Sequence, residues 1–307
     1  MIWQKFLKTT FLSFISFAFI NEIVLFFVKN PYAIALRHNV DLYANFPPKA
    51  SNIERSVILG DSVVNQIFES FKIQIGVVDL TTNQATGISG NYFLLKRYLE
   101  HNNHLKQVWL SFIPSVYSKD MSDDLSYTYF FSVFNRPEEI SEYSECAMGR
   151  SGYDFDLNYK IKHRLDLFSS PWITLNFWSQ RWIRSFGKAE GQFRPVESNY
   201  QSVDDAWKKI YDEELKLHPL TRCFLTKILR LSEEKNFQIH ILINPVYRRR
   251  FNANSLVILK NSLKEFGSVT DFNDLSFYDE KSFYDGVHLV NQSRAIFFKD
   301  LSLVLKD

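Results

Sequence analysis

Hydrophobic residues recur along the chain in two ways, as short continuous runs and as longer stretches with apolar positions three or four residues apart. Short runs bounded by polar residues are typical of strands buried in a parallel sheet, whereas the longer spacing is typical of a helix with one buried face. Five runs are predicted strands: Ser56–Leu59, Ile75–Leu80, Gln107–Phe112, Ile239–Asn244 and Val269–Asp271. Five helices are predicted to follow or separate them: Ser62–Phe71, Asn91–His101, Thr221–Asn236, Ala253–Phe266 and Asn291–Lys306, the last with Asn291 as its N-cap. This alternation predicts an α/β domain built as a three-layer sandwich.

The rhythm of strands and helices is interrupted between residues 114 and 220, after the third predicted strand. This region holds four of the six tryptophans and shows no buried strand pattern, so we interpret it as a large insertion in the α/β frame. Within it, Pro171–Lys188 places aromatic residues at helical spacing, with basic residues elsewhere on the same helix. Such a helix either lies at a membrane interface or packs on its own domain as a cap.

The N-terminus carries a long apolar stretch. Phe11–Val28 is apolar apart from two serines and the pair Asn21–Glu22, and lysines flank it. A bilayer is crossed by about 20 apolar residues. Residues 1–30 are therefore predicted to form a single membrane anchor, residues 31–54 a linker, and residues 55–307 a domain held outside the cytoplasm, in the periplasm or the extracellular space. Two alternatives stay open: a signal peptide cleaved near Ala33–Ala35, and a buried helix of a soluble domain.

Composition narrows the class of protein. The 307 residues carry a formal net charge of +2 and 46% are hydrophobic, which fits a folded domain and gives no reason to expect a nucleic-acid partner. Cys146 and Cys223 match no metal-binding or redox spacing, so they are either one disulfide in an oxidising compartment or two buried thiols. The sequence has no Walker loop, dinucleotide-binding glycine pattern or zinc spacing, and it predicts neither a cofactor nor a metal.

A serine follows the first predicted strand directly. Gly60-Asp61-Ser62 connects that strand to an amphipathic helix, which places the serine hydroxyl at the carboxyl edge of a parallel sheet, where open α/β folds bind ligands. The helix N-terminus there favours developing negative charge, and Gly60 allows a tight turn and a close approach of substrate. Taken alone, the pattern favours an ordinary N-cap serine.

Asp285 and His288 stand three positions apart, just before the last predicted helix. A histidine can accept the proton of a serine hydroxyl as a general base, and a carboxylate can hold the imidazole in the required tautomer. Serine is a weak nucleophile without such a base. The two patterns together therefore predict acyl-transfer chemistry.

Gly-Asp-Ser after the first strand and Asp-x-x-His before the last helix resemble the opening and closing blocks of the SGNH/GDSL hydrolase superfamily. The resemblance runs from about residue 55 to the end and leaves out residues 114–220. It implies a flavodoxin-like sheet of five parallel strands, with Ser62 as nucleophile, His288 as base and Asp285 as the residue that orients the base. It also implies that the backbone N–H of Ser62 donates to the oxyanion.

Two middle blocks of that superfamily are absent. Gln84 stands where the family has a glycine, and Ser111–Ser115 lacks the family's asparagine. Asn83, Gln84 and Ser115 are the candidates to replace these oxyanion donors, because an amide or a hydroxyl can donate there; the alternative is a degraded oxyanion hole with weak catalysis. Arg248 opens a run of three arginines, which either grips an anionic glycan or phosphate or lies in a solvated loop.

With these two blocks absent, the sequence resembles the membrane-anchored SGNH-like proteins that O-acylate cell-surface polymers, such as the alginate acetylation and teichoic acid D-alanylation proteins. That resemblance implies serine-dependent acyl transfer, most simply of acetyl, to a hydroxyl of a cell-surface or secreted polysaccharide. It also implies a membrane-bound O-acyltransferase as partner. Two rivals stay open: an esterase or deacetylase of the same fold, and a non-catalytic assembly factor that binds an acyltransferase or a polymer.

Overall fold

The computed structural model describes residues 56–71, 77–82, 86–118, 134, 136–148, 215–247, 252–283 and 287–305, and eight helical positions between residues 3 and 16. Within these residues, five parallel strands form one sheet in the order β2-β1-β3-β4-β5. The strands are β1 Ser56–Gly60, β2 Val77–Asp79, β3 Gln107–Phe112, β4 Gln238–Ile243 and β5 Ser268–Asp271. The prediction of an α/β fold with five parallel strands is confirmed, and each predicted strand overlaps an observed one.

Helices follow or separate the strands, as the spacing of apolar residues predicts. They are α1 Ser62–Phe71, α2 Gly87–His101, α3 Pro114–Ser118, α4 Pro137–Met148, α5 Pro219–Lys235, α6 Ala253–Leu263, α7 Phe272–Leu275 and α8 Asn291–Val304, with a 3-10 turn at Glu280–Ser282. Three of them, α3, α4 and α7, are not predicted. Yet α4 carries clear start signals, since Pro137 is its first residue and Glu138 and Glu139 lie in its first turn.

Apolar side chains fill the space on both faces of the sheet. Because successive residues of a strand point to opposite faces, Val57 and Leu59 belong to one buried cluster, whereas Ile58 between them belongs to the other. The first cluster packs the strands against α2, α5 and α6, and the second packs them against α1 and α8. Burial of one such side chain contributes about 1.5–3 kcal/mol. The strand ends and their loops are therefore held between two packed layers.

Among the helix boundaries that differ from the prediction, the starts of α2 and α8 have a local cause. α2 begins at Gly87 rather than at Asn91, and Gly87 has a φ of 55°, a left-handed value that glycine adopts without steric cost. Asn291 is not the N-cap of α8: it is the first helical residue, and Val290 is the N-cap, with no side-chain hydrogen bond. Val290 takes this place because its N–H donates to the carbonyl of Ser282 (2.9 Å), which keeps the chain extended up to the helix.

Part of the region predicted as an insertion, residues 114–220, is packed onto the domain. The Arg97 guanidinium of α2 donates to both carboxylate oxygens of Glu139 of α4 (2.6 and 2.8 Å), and both residues are buried. Burying an ion pair is costly unless its geometry is good, and here the contact is bidentate. α4 is thereby fixed to the layer of helices beside β1 and β3. The tryptophan-bearing segment Pro171–Lys188 lies outside the described residues.

The predicted anchor lies largely outside the described residues. Of residues 1–30, the structure describes helical positions that include the exposed side chains of Trp3, Phe6 and Phe11. Among the helices in the described part of the chain, none is long and apolar enough to cross a bilayer. The anchor and the linker at residues 31–54 therefore stay predictions.

A disulfide joins the two cysteines. Cys146 lies near the end of α4 and Cys223 in the first turns of α5, with their Cα atoms 5.6 Å apart. The sequence leaves open whether the cysteines form one disulfide or two buried thiols, and in the structure they form the disulfide. The bond ties the helix before residues 149–214 to the helix after them.

Replacing both cysteines by serine is expected to lower the free energy of unfolding by about 4 kcal/mol, because the cross-link limits the entropy of a long unfolded loop. The bonded cysteines are 77 residues apart in the sequence. Urea unfolding of the wild type and of the Cys146→Ser/Cys223→Ser variant measures the difference, and reduction of the wild type should produce the same shift. Two reactive thiols in the non-reduced wild type would contradict the cross-link.

Candidate active site

The carboxyl ends of β1, β3 and β4 meet at one edge of the sheet. The pairing of β1 with β3 extends to Gly60 and Ser111, and that of β3 with β4 extends to Phe112 and Ile243. The loops that leave these strands are therefore neighbours, and open α/β sheets bind ligands where the strand order reverses, here between β1 and β3. Ser62 lies at this edge as the first residue of α1, as the sequence predicts.

Asp61 caps α1 and leaves the N–H of Ser62 available. Its carbonyl accepts from the N–H of Asn65 (3.1 Å), and its carboxylate oxygen Oδ1 accepts from the N–H of Val63 (3.0 Å), as an N-cap aspartate does. The first N–H groups of a helix have no acceptor in a preceding turn. Within the described part of the chain, no hydrogen bond occupies the N–H of Ser62. This group can therefore donate to a bound acceptor.

His288 reaches Ser62 from a loop near the other end of the chain. Its Nε2 lies 2.8 Å from Oγ of Ser62, although the two residues are 226 positions apart. Val287 and Leu289, on either side of it, are buried, and Leu289 pairs with Phe283 in an antiparallel bridge. These contacts anchor the loop on the core and hold the histidine at the edge of the sheet. When Nε2 carries no proton, the Ser62 hydroxyl donates to it, which is the arrangement that a general base requires.

Gly60 is required by close packing at the end of β1. A Cβ at this position would lie 2.6 Å from the carbonyl oxygen of Ser111, closer than side chains approach a backbone. The absence of a Cβ lets the N–H of Asp61 donate to that same carbonyl (3.3 Å). The glycine predicted to serve a tight turn thus serves the approach of two strands.

The side chain of Asp61 is fully buried. Besides the bond from Val63, Oδ2 accepts from the N–H of Ile113 (2.8 Å) and Oδ1 accepts from Nδ2 of Asn244 (3.1 Å). Loss of hydration raises the pKa of Asp61 from 3.8 to about 6, while the backbone donors of Ile113 and Val63 and the charge of His288 act in the opposite direction. The carboxyl is therefore ionised near neutral pH and binds a proton in mildly acid solution.

The structure brings Ser62 and His288 together, and it places Ser115 in the helix that follows β3. Ser115 is in the first turn of α3, two residues after Ile113, and it is buried. Its hydroxyl makes no hydrogen bond to any residue that the structure describes. Four other predicted site residues lie outside the described residues: Asn83, Gln84, Arg248 and Asp285.

Sequence reasoning missed the roles of Asp61 and Asn244. From the sequence, Asp61 was interpreted only as the middle residue of Gly60-Asp61-Ser62, and Asn244 only as the last residue of the fourth predicted strand. The available signal was that each is a polar residue next to a continuous apolar strand, where a buried polar group needs a partner. Their pairing itself depends on the order of the strands, which the pattern of apolar residues does not encode.

Asp61→Asn is expected to remove a pH dependence from the stability of the protein. The pKa of Asp61 in the folded protein lies above the unfolded value of 3.8, which means that the native state binds the proton more tightly. The contribution of Asp61 to the free energy of unfolding is therefore present at low pH and lost as the pH rises through about 6. Relative to the variant, the wild type should lose about 2 kcal/mol of unfolding free energy between about pH 4.5 and about pH 7.5. Urea unfolding of both proteins measures this, and parallel pH dependences would contradict the raised pKa.

No protein-family model, no curated protein and no solved structure matches this chain. The resemblance to SGNH proteins therefore rests on the residues themselves.

Proposed function

We propose that this chain is an SGNH-type serine enzyme that transfers an acyl group, most simply acetyl, to a hydroxyl of a cell-surface or secreted polysaccharide. The observation that supports the proposal best is the 2.8 Å hydrogen bond between Oγ of Ser62 and Nε2 of His288. A histidine in this position activates a serine that is otherwise a weak nucleophile. We assign the third place of the proposed triad to Asp285, whose role there is to accept from Nδ1 of His288 and to hold its tautomer.

The proposed reaction has two halves. Oγ of Ser62 attacks the acyl carbonyl carbon while its proton passes to Nε2 of His288, and the leaving group then departs with that proton. The product of this half is an acyl ester on Ser62. In the second half, His288 accepts the proton of the acceptor hydroxyl, whose oxygen attacks the ester, and the proton returns to Ser62 as the new ester leaves.

The negative oxygen of each tetrahedral intermediate needs donors close to the start of α1. The N–H of Ser62 is the first, because it is available and because the helix N-terminus favours negative charge. The Ser115 hydroxyl is the second: the bond from Ile113 to Asp61 (2.8 Å) holds the segment before α3 to the residue that precedes Ser62. Asn83 and Gln84, which follow β2 in the sequence, are further candidates.

The proposal includes export and anchoring. Disulfides persist mainly outside the cytoplasm, so the bond between Cys146 and Cys223 supports a domain in the periplasm or outside the cell. The apolar stretch Phe11–Val28 supports a single-pass anchor. An exported acyl-transfer domain needs an acyl donor delivered through the membrane, and we propose a membrane-bound O-acyltransferase as the partner that delivers it.

Ser62→Ala is expected to abolish the acetyl adduct and to reduce turnover of an activated acetyl ester by about 10³-fold or more. The full-length chain in detergent is mixed with the ester, with and without polysaccharide acceptors, while the leaving group and the intact protein mass are followed. Ser56→Ala, at the opposite end of β1, is the matched control and should keep wild-type values.

The fate of the acetyl group distinguishes the candidate reactions. Acetyl recovered on the polysaccharide indicates a transferase, and acetyl lost to water indicates an esterase. A wild type with neither turnover nor adduct would contradict an autonomous enzyme and favour the assembly factor.

Ser115→Ala is expected to lower kcat by about 100-fold with little change in KM, because an oxyanion donor acts in the transition state. The control is Ser118→Ala on the same helix, whose hydroxyl donates to the carbonyl of Ser115 (3.3 Å). Steady-state kinetics of the ester reaction measures both variants. Equal effects of the two substitutions would argue that α3 acts through its fold rather than through the Ser115 hydroxyl.

A further inference from the structure

Asn244 belongs to a buried network that ends at the residue before the nucleophile. It follows β4 directly and is fully buried, and its Nδ2 donates to Oδ1 of Asp61 (3.1 Å). The hydroxyl of Ser111, in β3, donates to Oδ1 of Asn244 (2.6 Å). One amide thus links the ends of three neighbouring strands.

Only one orientation of the Asn244 amide satisfies its surroundings. An ionised Asp61 carboxylate can only accept, so the NH₂ group must face it. The reverse orientation would set the amide oxygen against a carboxylate oxygen in a buried site, which is costly. The Ser111 hydroxyl reinforces the favourable orientation by donating to the amide oxygen.

Asp61 in turn fixes the position of Ser62 at the start of α1. The same carboxylate accepts from the N–H groups of Val63 (3.0 Å) and Ile113 (2.8 Å), so it holds the start of α1 and the segment after β3 in one position. His288 comes from a separate loop. Its 2.8 Å contact with Ser62 therefore depends on where the start of α1 is held.

We propose that Asn244 is a positioning residue that, through Asp61, sets the place of Ser62 relative to His288 and to the oxyanion donors. The inference rests on the proposed role of Ser62 as the nucleophile. In the described structure the hydrogen bonds of the Asn244 side chain run to Asp61 and Ser111. Loss of these bonds should therefore change how fast Ser62 reacts.

A second asparagine–aspartate pair lies at the same edge of the sheet. It provides a control for the general effect of placing a second carboxyl next to a buried aspartate. Asn273 is buried, donates from Nδ2 to Oδ1 of Asp271 (2.9 Å) and accepts from the N–H of Val246 (3.0 Å). Asp271 also lies 3.2 Å from Nζ of Lys260. The pair repeats the chemistry of Asn244 and Asp61, but its bonds run to the segment after β4 and to α6.

The substitutions Asn244→Asp and Asn273→Asp each replace an amide donor by a carboxyl group. The new carboxyl at position 244 meets that of Asp61, and the one at position 273 meets that of Asp271. Two buried carboxylates in contact share one proton until the pH exceeds the higher pKa of the pair, and the protonated carboxyl can donate as the amide does. Tyr117 and His288 also interact with the charge of Asp61. Burial holds the pKa of Tyr117 well above its ordinary value, so it stays neutral. Each rate is divided by the wild-type rate at the same pH, which removes the part of the pH dependence that the variants share with the wild type.

The rate of Ser62 modification by a fluorophosphonate probe is measured by intact mass on the full-length chain, between about pH 5 and about pH 8. Asn244→Asp should react at nearly the wild-type rate at the acid end and about 100-fold more slowly at the alkaline end, because loss of the shared proton displaces the nucleophile. Asn273→Asp should keep the wild-type rate throughout. Circular dichroism and urea unfolding at each pH establish that the variants are folded.

Equal losses of rate in the two variants, or no loss in Asn244→Asp, would overturn the inference and leave the proposed function standing. If Asn244→Asp does not fold, Ser111→Ala takes its place. That variant removes only the hydroxyl that donates to Asn244, and it should react about 10-fold more slowly than the wild type. An unchanged rate in Ser111→Ala would also overturn the inference. A wild type that the probe does not modify at Ser62 would overturn the proposed function, and the inference with it.

Discussion

A buried carboxylate holds the candidate site together. Asp61 accepts hydrogen bonds from the first turn of α1, from Ile113 after β3 and from Asn244 after β4. Burial opposes the charge and raises the pKa of Asp61 to about 6, and these donors are what make a charge tolerable there. Because each donor comes from a different segment, the carboxylate is accommodated only when the three strand ends are in register. The contact between Ser62 and His288 depends on that register.

Apolar packing on both faces of the sheet supports the edge that carries Asp61 and Asn244. Strands β1 to β4 contribute to both apolar clusters, one packed against α2, α5 and α6 and the other against α1 and α8. The second cluster includes Val287 and Leu289, so the same packing that completes the core also fixes the loop that carries His288. Farther from the site, the disulfide and the Arg97–Glu139 pair fasten α4 to the domain. The segment between α4 and α5 therefore leaves from and returns to fixed points.

Much of this architecture follows from local patterns. An apolar run that stops at Gly60, with a helical pattern directly after it, is enough to place Ser62 at a helix start on a sheet edge. The short helices α3 and α7 were not predicted, because five and four residues are too few for periodicity to show. The N-cap predicted at Asn291 was wrong because a bond from Val290 to Ser282, in a different segment, sets where the helix begins.

By itself, the sequence determined the five strands, five of the helices, the order of these elements, and the presence of a serine and an Asp-x-x-His pair at strand and helix boundaries, since these depend on neighbours in the chain. Only the tertiary structure decided that the cysteines bond, that Nε2 of His288 meets Oγ of Ser62, and that Asn244 supports Asp61 across 183 positions of sequence. The reason is physical. Burial, desolvation and hydrogen-bond partnership are set by distances between remote segments, and those distances exist only once the strands have taken their order in the sheet.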